Sequence, residues 1–165
     1  MKKEIKSILK SQHHGDIPYT YRDLDHTDEI KDKKVNSVHG YCFWQNKLVI
    51  VKNVKNGEWT PAGGGVEKGE SIEEAVDREV HEESNMKVLD QRIIGCQEIF
   101  LPDKTIVQTR SVCIVEPYGP FISDPDGDIT EIKLIDPKDY KKYFDWGEIG
   151  DHIMERTLKM LKEFK

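Results

Sequence analysis

Residues 63–86 read Gly63-Gly64-Gly65-Val66-Glu67-Lys68-Gly69-Glu70-Ser71-Ile72-Glu73-Glu74-Ala75-Val76-Asp77-Arg78-Glu79-Val80-His81-Glu82-Glu83-Ser84-Asn85-Met86. Ser71 followed three residues later by Glu74 is a capping box, in which hydroxyl and carboxylate satisfy each other's free backbone N–H groups. The spacing predicts a helix over 71–84, closed by Asn85, which tolerates the left-handed backbone just past a helix end. At about 100° per residue, with Glu79 as zero, Ile72, Ala75 and Val76 fall at roughly +20°, −40° and +60°. Glu82, Glu83 and Met86 fall at roughly −60°, +40° and −20°. One stripe therefore begins apolar, as a stripe packed on a sheet does, and ends in three carboxylates. Glu74, Asp77 and His81 point the other way, to solvent.

Carboxylates that converge on a packed face repel one another and lose solvation unless a positive charge sits among them. A hard divalent cation meets that need, and Mg²⁺ takes carboxylates, waters and phosphate oxygens. Three consecutive glycines before the helix let backbone groups approach a metal or a phosphate without Cβ obstruction.

Gly64, Glu70, Arg78, Glu79, Val80, Glu82, Glu83 and Met86 together resemble the signature of the Nudix hydrolase family. That signature runs Gly, five residues, Glu, seven residues, Arg-Glu, an aliphatic, one residue, Glu-Glu, one residue, Gly, an aliphatic. Asn85 stands where the family has glycine, and asparagine is the next best residue for a left-handed cap. Glu58-Trp59-Thr60-Pro61-Ala62 is similar to the family's approach to its loop, and the looser likeness extends over 38–136.

The resemblance implies an α/β fold, an α/β/α sandwich with a mixed β-sheet and the catalytic loop-helix motif. It implies a Mg²⁺-dependent hydrolase, with Mn²⁺ as a substitute ion, that cleaves the diphosphate linkage of a small nucleotide substrate. A nucleoside triphosphate, an oxidised nucleotide and an ADP-ribose-like compound all fit. Glu79, Glu82 and Glu83 become metal ligands, joined by the backbone of Gly63 or Gly64. Arg78 and Glu70 complete the catalytic set as supports, since Arg78 can hold a carboxylate bidentately and fix its aim. Gly63, Gly64 and Gly65 meet the substrate; apart from the resemblance, Arg110 in the variable part is a residue type suited to a distal phosphate. The general base is open between Glu79 and a later acid, Asp124, Asp126, Asp128 or Glu131. Pro102, sixteen positions beyond Met86, resembles the proline placed near there in ADP-ribose hydrolases, and is equally an ordinary turn residue.

Outward from this motif, 38–44 and 48–52 are short β-branched and aromatic runs joined by Gln45-Asn46-Lys47, a hairpin. Further strands are expected over 88–99, 105–115 and 129–135, with a Pro/Gly-rich loop over 117–128 and a closing helix over 146–164. Strands on both sides of an internal helix predict a mixed sheet covered on both faces. Residues 1–36 read as a polar N-terminal extension with a short helix over 3–12, and 37–165 as the catalytic domain. The extension is expected to pack over the cleft or to form a homodimer contact. His13-His14 lacks the further ligands of a metal site.

The net charge of −6 argues against binding extended nucleic acid, which needs a cationic face. No run reaches the length that spans a bilayer, and the N-terminus lacks the apolar core of a signal peptide. Cys42, Cys96 and Cys113 are odd in number and lie in apolar surroundings, which fits reduced thiols and a cytoplasmic compartment. Tyr19, Tyr21, Trp44, Phe100 and Tyr118 are candidates to stack on a base, and equally core residues. Two rival functions keep the same fold. One is a catalytically idle nucleotide sensor, whose mark would be a lost metal carboxylate. The other is isopentenyl diphosphate isomerisation, for which Cys42 or Cys96 would have to face the cavity.

Overall fold

The computed structural model describes residues 2–11 and 15–164, so the His13-His14 pair lies outside the described residues. Strand β1 (Glu4–Ser11) pairs antiparallel with β2 (Gly15–Asp23), Ile5 facing Tyr21 and Leu9 facing Ile17. The helix expected over 3–12 is thus corrected to a strand. So short a helix is marginal in water, whereas pairing with β2 satisfies the backbone and buries Ile5, Ile17 and Tyr21. Residues before 37 therefore supply two strands of the one sheet.

Strands β3 (Ser37–Trp44) and β4 (Lys47–Asn53) form the expected hairpin. Gln45 and Asn46 both take positive φ, 50° and 63°, the two-residue turn whose twist matches its strands. Then follow β5 (Trp59–Thr60), β6 (Ala62–Gly65), helix α1 (Ile72–Ser84), β7 (Met86–Phe100), β8 (Thr105–Pro117), β9 (Ile129–Ile135) and helix α2 (Gly147–Glu163). The sheet runs β1-β2-β7-β8-β3-β4-β5, with β6 added to β3 and β9 to β4. Only the β3–β8 pairing is parallel among the described strands, so the sheet is mixed.

Alternation along β3 divides the core. Val38 and Cys42 pack with Ala75, Val76 and Val80 of α1, while Tyr41 and Phe43 pack with Ile149, Ile153 and Met154 of α2. The result is the α/β/α sandwich. No helix of the described residues is long and apolar enough to cross a membrane.

A buried carboxylate ties the N-terminal hairpin to α2. Asp23 accepts from the Lys3 N–H at 3.0 Å and from His152 Nε2 at 2.8 Å, with Arg156 3.6 Å away. Arg156 also donates to the carbonyls of Leu24 and Ile94, at 2.7 and 2.9 Å. Burial opposes the charged form of Asp23, yet the Lys3 N–H, His152 and Arg156 hold its carboxyl below its ordinary value of 3.8. Because the folded value is depressed, this contribution is present above 3.8 and is lost as pH falls through the lower folded value. Asp23→Asn should cost about 2 to 3 kcal/mol in urea denaturation at pH 7 and make the stability curve less sensitive to acid.

Candidate active site

The capping box forms as spaced. The Glu74 N–H donates to Ser71 Oγ at 3.1 Å, and the Ser71 N–H to Glu74 Oε1 at 3.0 Å. At the other end Asn85 sits at φ 55°, ψ 37°, in the left-handed region, and its Nδ2 donates to the Pro120 carbonyl at 3.0 Å. With both ends set, the rotation of the helix is set. Ala75, Val76 and Val80 enter the core, and Glu79, on the same stripe, is only 9% exposed.

Strand β6 closes over that stripe. The Gly63 N–H donates to Glu83 Oε1 at 2.7 Å. A Cβ on Gly64 would lie 2.5 Å from the Glu79 carboxyl, and one on Gly63 would lie 2.2 Å from the Val38 carbonyl oxygen. Glycine is required at Gly64 because the helix approaches so closely, and at Gly63 because strand β3 does. Arg78 organises the carboxylates. It grips Glu70 with two bonds of 2.7 and 3.0 Å, and reaches Glu79 at 2.9 Å, Glu82 at 3.3 Å and the Gly65 carbonyl at 2.8 Å. Hydrogen bonding from Arg78 holds the Glu70 carboxyl down at about 2.

Of the later acids, Asp124 is buried and Asp126 exposed, and single carboxylate oxygens of Glu82, Asp124 and Asp126 lie within 4.8 Å of one another. The Asp128 N–H donates to Asp124 Oδ2 at 3.1 Å, which holds the loop in place. Asp128 itself lies 3.6 Å from Lys55, and Glu131 lies 3.8 Å from Lys52 on the exposed side of β9. Asp124 and Asp126 thus join the helix carboxylates, and Glu131 does not.

Burial pushes Glu83 up to about 8, and the charges of Glu79, Asp124 and Asp128 add to the rise. Burial also raises Glu79, reinforced by Glu82 and Asp124 against the pull of Arg78. One guanidinium does not neutralise this many acids, so the donor set lacks positive charge. All-oxygen donors, partly buried and backed by a glycine loop with no room for Cβ, fit Mg²⁺ or Mn²⁺.

On the α2 face of the sheet lies a cavity of about 450 Å³ whose lining includes Tyr19, His39, Gln97, Gln108, Arg110 and Trp146. His39 joins the two regions, since a Cβ on Gly63 would come within 2.8 Å of its ring. Burial, then the charge of Arg110, holds the His39 imidazole down at about 3, so it is neutral. His39, Gln97, Gln108 and Trp146 carry no motif and escape sequence reasoning. Only the fold brings them together, through the β3–β8 register that sets His39 opposite Arg110. Among the stacking candidates Tyr19 lines the cavity, Tyr21 is core, Trp44 packs at the α1-face core, and Tyr118 lies on His81 with ring centroids 4.5 Å apart. Phe100 is exposed at the end of β7. The three thiols are buried, and none lines the cavity.

The family model described as NUDIX domain matches residues 33–156. Nucleoside triphosphatase NudI of Salmonella heidelberg is 50% identical over 42 residues, 26% of this chain and 30% of that protein. NAD-capped RNA hydrolase NudC of Mannheimia succiniciproducens is 31% identical over 118 residues, 66% of this chain and 40% of that protein. The matches thus span well under half the length of either relative. A mutant of the Bacillus subtilis pyrophosphohydrolase BsRppH superposes with TM-score 0.71 at 17% identity, over 93% of this chain and 97% of that one.

The crowding of carboxylates makes Glu83→Gln informative. In EDTA at pH 9 the variant keeps an acceptor for the Gly63 N–H but removes a buried like charge, and should be more stable by about 1 to 2 kcal/mol in urea. A loss of stability would show that the site is not short of positive charge.

Proposed function

The chain belongs to the NUDIX domain family, and we propose that it is a Mg²⁺-dependent hydrolase of the phosphoanhydride bond in nucleoside diphosphate-linked compounds. The observation that carries this reading is the seating of Glu79 and Glu83 against Gly64 and Gly63, with Glu82 tied to Glu79 through Arg78. Mg²⁺ held by those three side chains, with backbone of Gly63 or Gly64 beside it, supplies charge neutralisation for diphosphate oxygens and a more acidic water. Arg78 fixes the aim of Glu79 and Glu82, and Glu70 fixes Arg78. The glycine loop lets the diphosphate approach the backbone. Glu79 or Asp124 takes the proton from the attacking water; burial raises the Glu79 carboxyl, which favours proton uptake there. Displacement at one phosphorus leaves two phosphorylated products.

The NudI and NudC relatives, named for a nucleoside triphosphate and for NAD-capped RNA, support a nucleotide substrate. A nucleoside triphosphate, an oxidised nucleotide and an ADP-ribose-like compound remain the classes to test. The unbroken carboxylate set weighs against an idle sensor, and the buried thiols weigh against isomerase chemistry. The acidic net charge and the unpaired thiols support action in the cytoplasm.

In a screen of nucleoside triphosphates, oxidised nucleotides, ADP-ribose, dinucleotides and nucleotide sugars, at least one compound should be hydrolysed only with Mg²⁺ or Mn²⁺. Glu82→Gln should lower kcat on that compound by about 100-fold or more. Equal rates for wild type and variant on every hit would remove Glu82 from the site.

A further inference from the structure

We propose that Arg110 and His39 form a preorganised phosphate site at the floor of the α2-face cavity, and that the substrate carries a second phosphate, remote from the scissile bond, which this site receives. That orientation of the substrate rests on the hydrolase reading above. The site itself stands on its own geometry.

Arg110 is 5% exposed, yet it forms no ion pair among the described residues. Its partners are all neutral. Nη1 lies 3.2 Å from His39 Nδ1 and donates to the Thr109 carbonyl at 3.1 Å, and Nη2 donates to Gln108 Oε1 at 3.3 Å. Its Nε has no partner, nor does the nearby buried hydroxyl of Tyr41. Two half-buried arginines of this chain, Arg78 and Arg156, are treated differently. Arg78 meets Glu70, Glu79 and Glu82, and Arg156 meets Asp25 at 2.9 Å with Asp23 at 3.6 Å. A guanidinium keeps its proton and, buried without an opposite charge, costs the fold free energy. Arg110 borders an open cavity, so an anion entering from solvent can supply the missing charge. The planar fork of N–H groups matches phosphate geometry.

His39 supplies the second donor. A guanidinium cannot accept a hydrogen bond, so in the 3.2 Å contact Arg110 donates and His39 Nδ1 accepts. That fixes the neutral tautomer with its proton on Nε2. The ring packs its Cγ–Cδ2 bond against Gly63, so the imidazole borders the loop whose amide holds Glu83. A ligand spanning the two regions passes His39. A neutral base in the cavity would leave Arg110 as uncompensated as before, so charge is the property the floor selects.

The test is calorimetric titration of the full chain in EDTA, with adenosine 5′-monophosphate, inorganic phosphate and adenosine as probes. Without metal the carboxylates repel phosphate, so binding reports on Arg110. Wild type should bind the monophosphate at least 10-fold more tightly than adenosine, and Glu82→Gln should do the same. Arg110→Met should abolish that preference while melting no lower than wild type, because a buried unpaired charge has gone. His39→Phe, which loses the Nε2–H, should weaken the preference in part. The proposal is overturned if Arg110→Met retains the preference, if adenosine binds wild type as tightly as the monophosphate, or if Arg110→Met melts markedly lower, which would mark a structural arginine. Loss of Mg²⁺-dependent hydrolysis in the screen above would sink the enzyme reading and leave this phosphate site measurable.

Discussion

Negative charge placed where apolar side chains ordinarily pack governs this molecule. Glu79 continues the stripe of Ala75 and Val76 into the contact between α1 and the sheet, and Glu83 meets the backbone of Gly63. Side chains so placed lose water on one side and face each other on the other. Everything around them works to contain the strain. Arg78 spreads its five donors over Glu70, Glu79, Glu82 and a carbonyl, and glycines keep Cβ atoms out of the gap. The remaining deficit of positive charge is what the proposed dication would supply.

The same economy explains why the two arginines differ. Arg78 is saturated with carboxylates and serves the framework, whereas Arg110 is surrounded by neutral acceptors. The α1 face of the sheet therefore gathers acids short of a cation, and the α2 face holds a cation short of an anion. A nucleotide diphosphate with a metal ion satisfies both.

What was legible in the sequence is what is locally determined. Ser71 and Glu74 start α1, Asn85 stops it, and Gln45-Asn46 turn the β3–β4 hairpin, each through contacts a few residues apart. The position of the three carboxylates follows from the helix period alone. Illegible features depend on distant partners. Residues 4–11 are a strand because β2 is beside them, and the period of so short a segment does not distinguish the two states. The burial of Asp124 arises from a loop folding back on α1, and the His39–Arg110 contact from a parallel pairing of strands 71 residues apart. Arg110 was legible as a residue type suited to phosphate, but its lack of a counterion required the fold.

Crystals soaked in MnCl₂ and measured at the manganese edge test the central claim most directly. The account predicts an anomalous peak among Glu79, Glu82 and Glu83, with ligand oxygens at roughly 2.0 to 2.3 Å. Crystals showing the three carboxylates turned into solvent, with manganese elsewhere or absent at millimolar concentration, would contradict it.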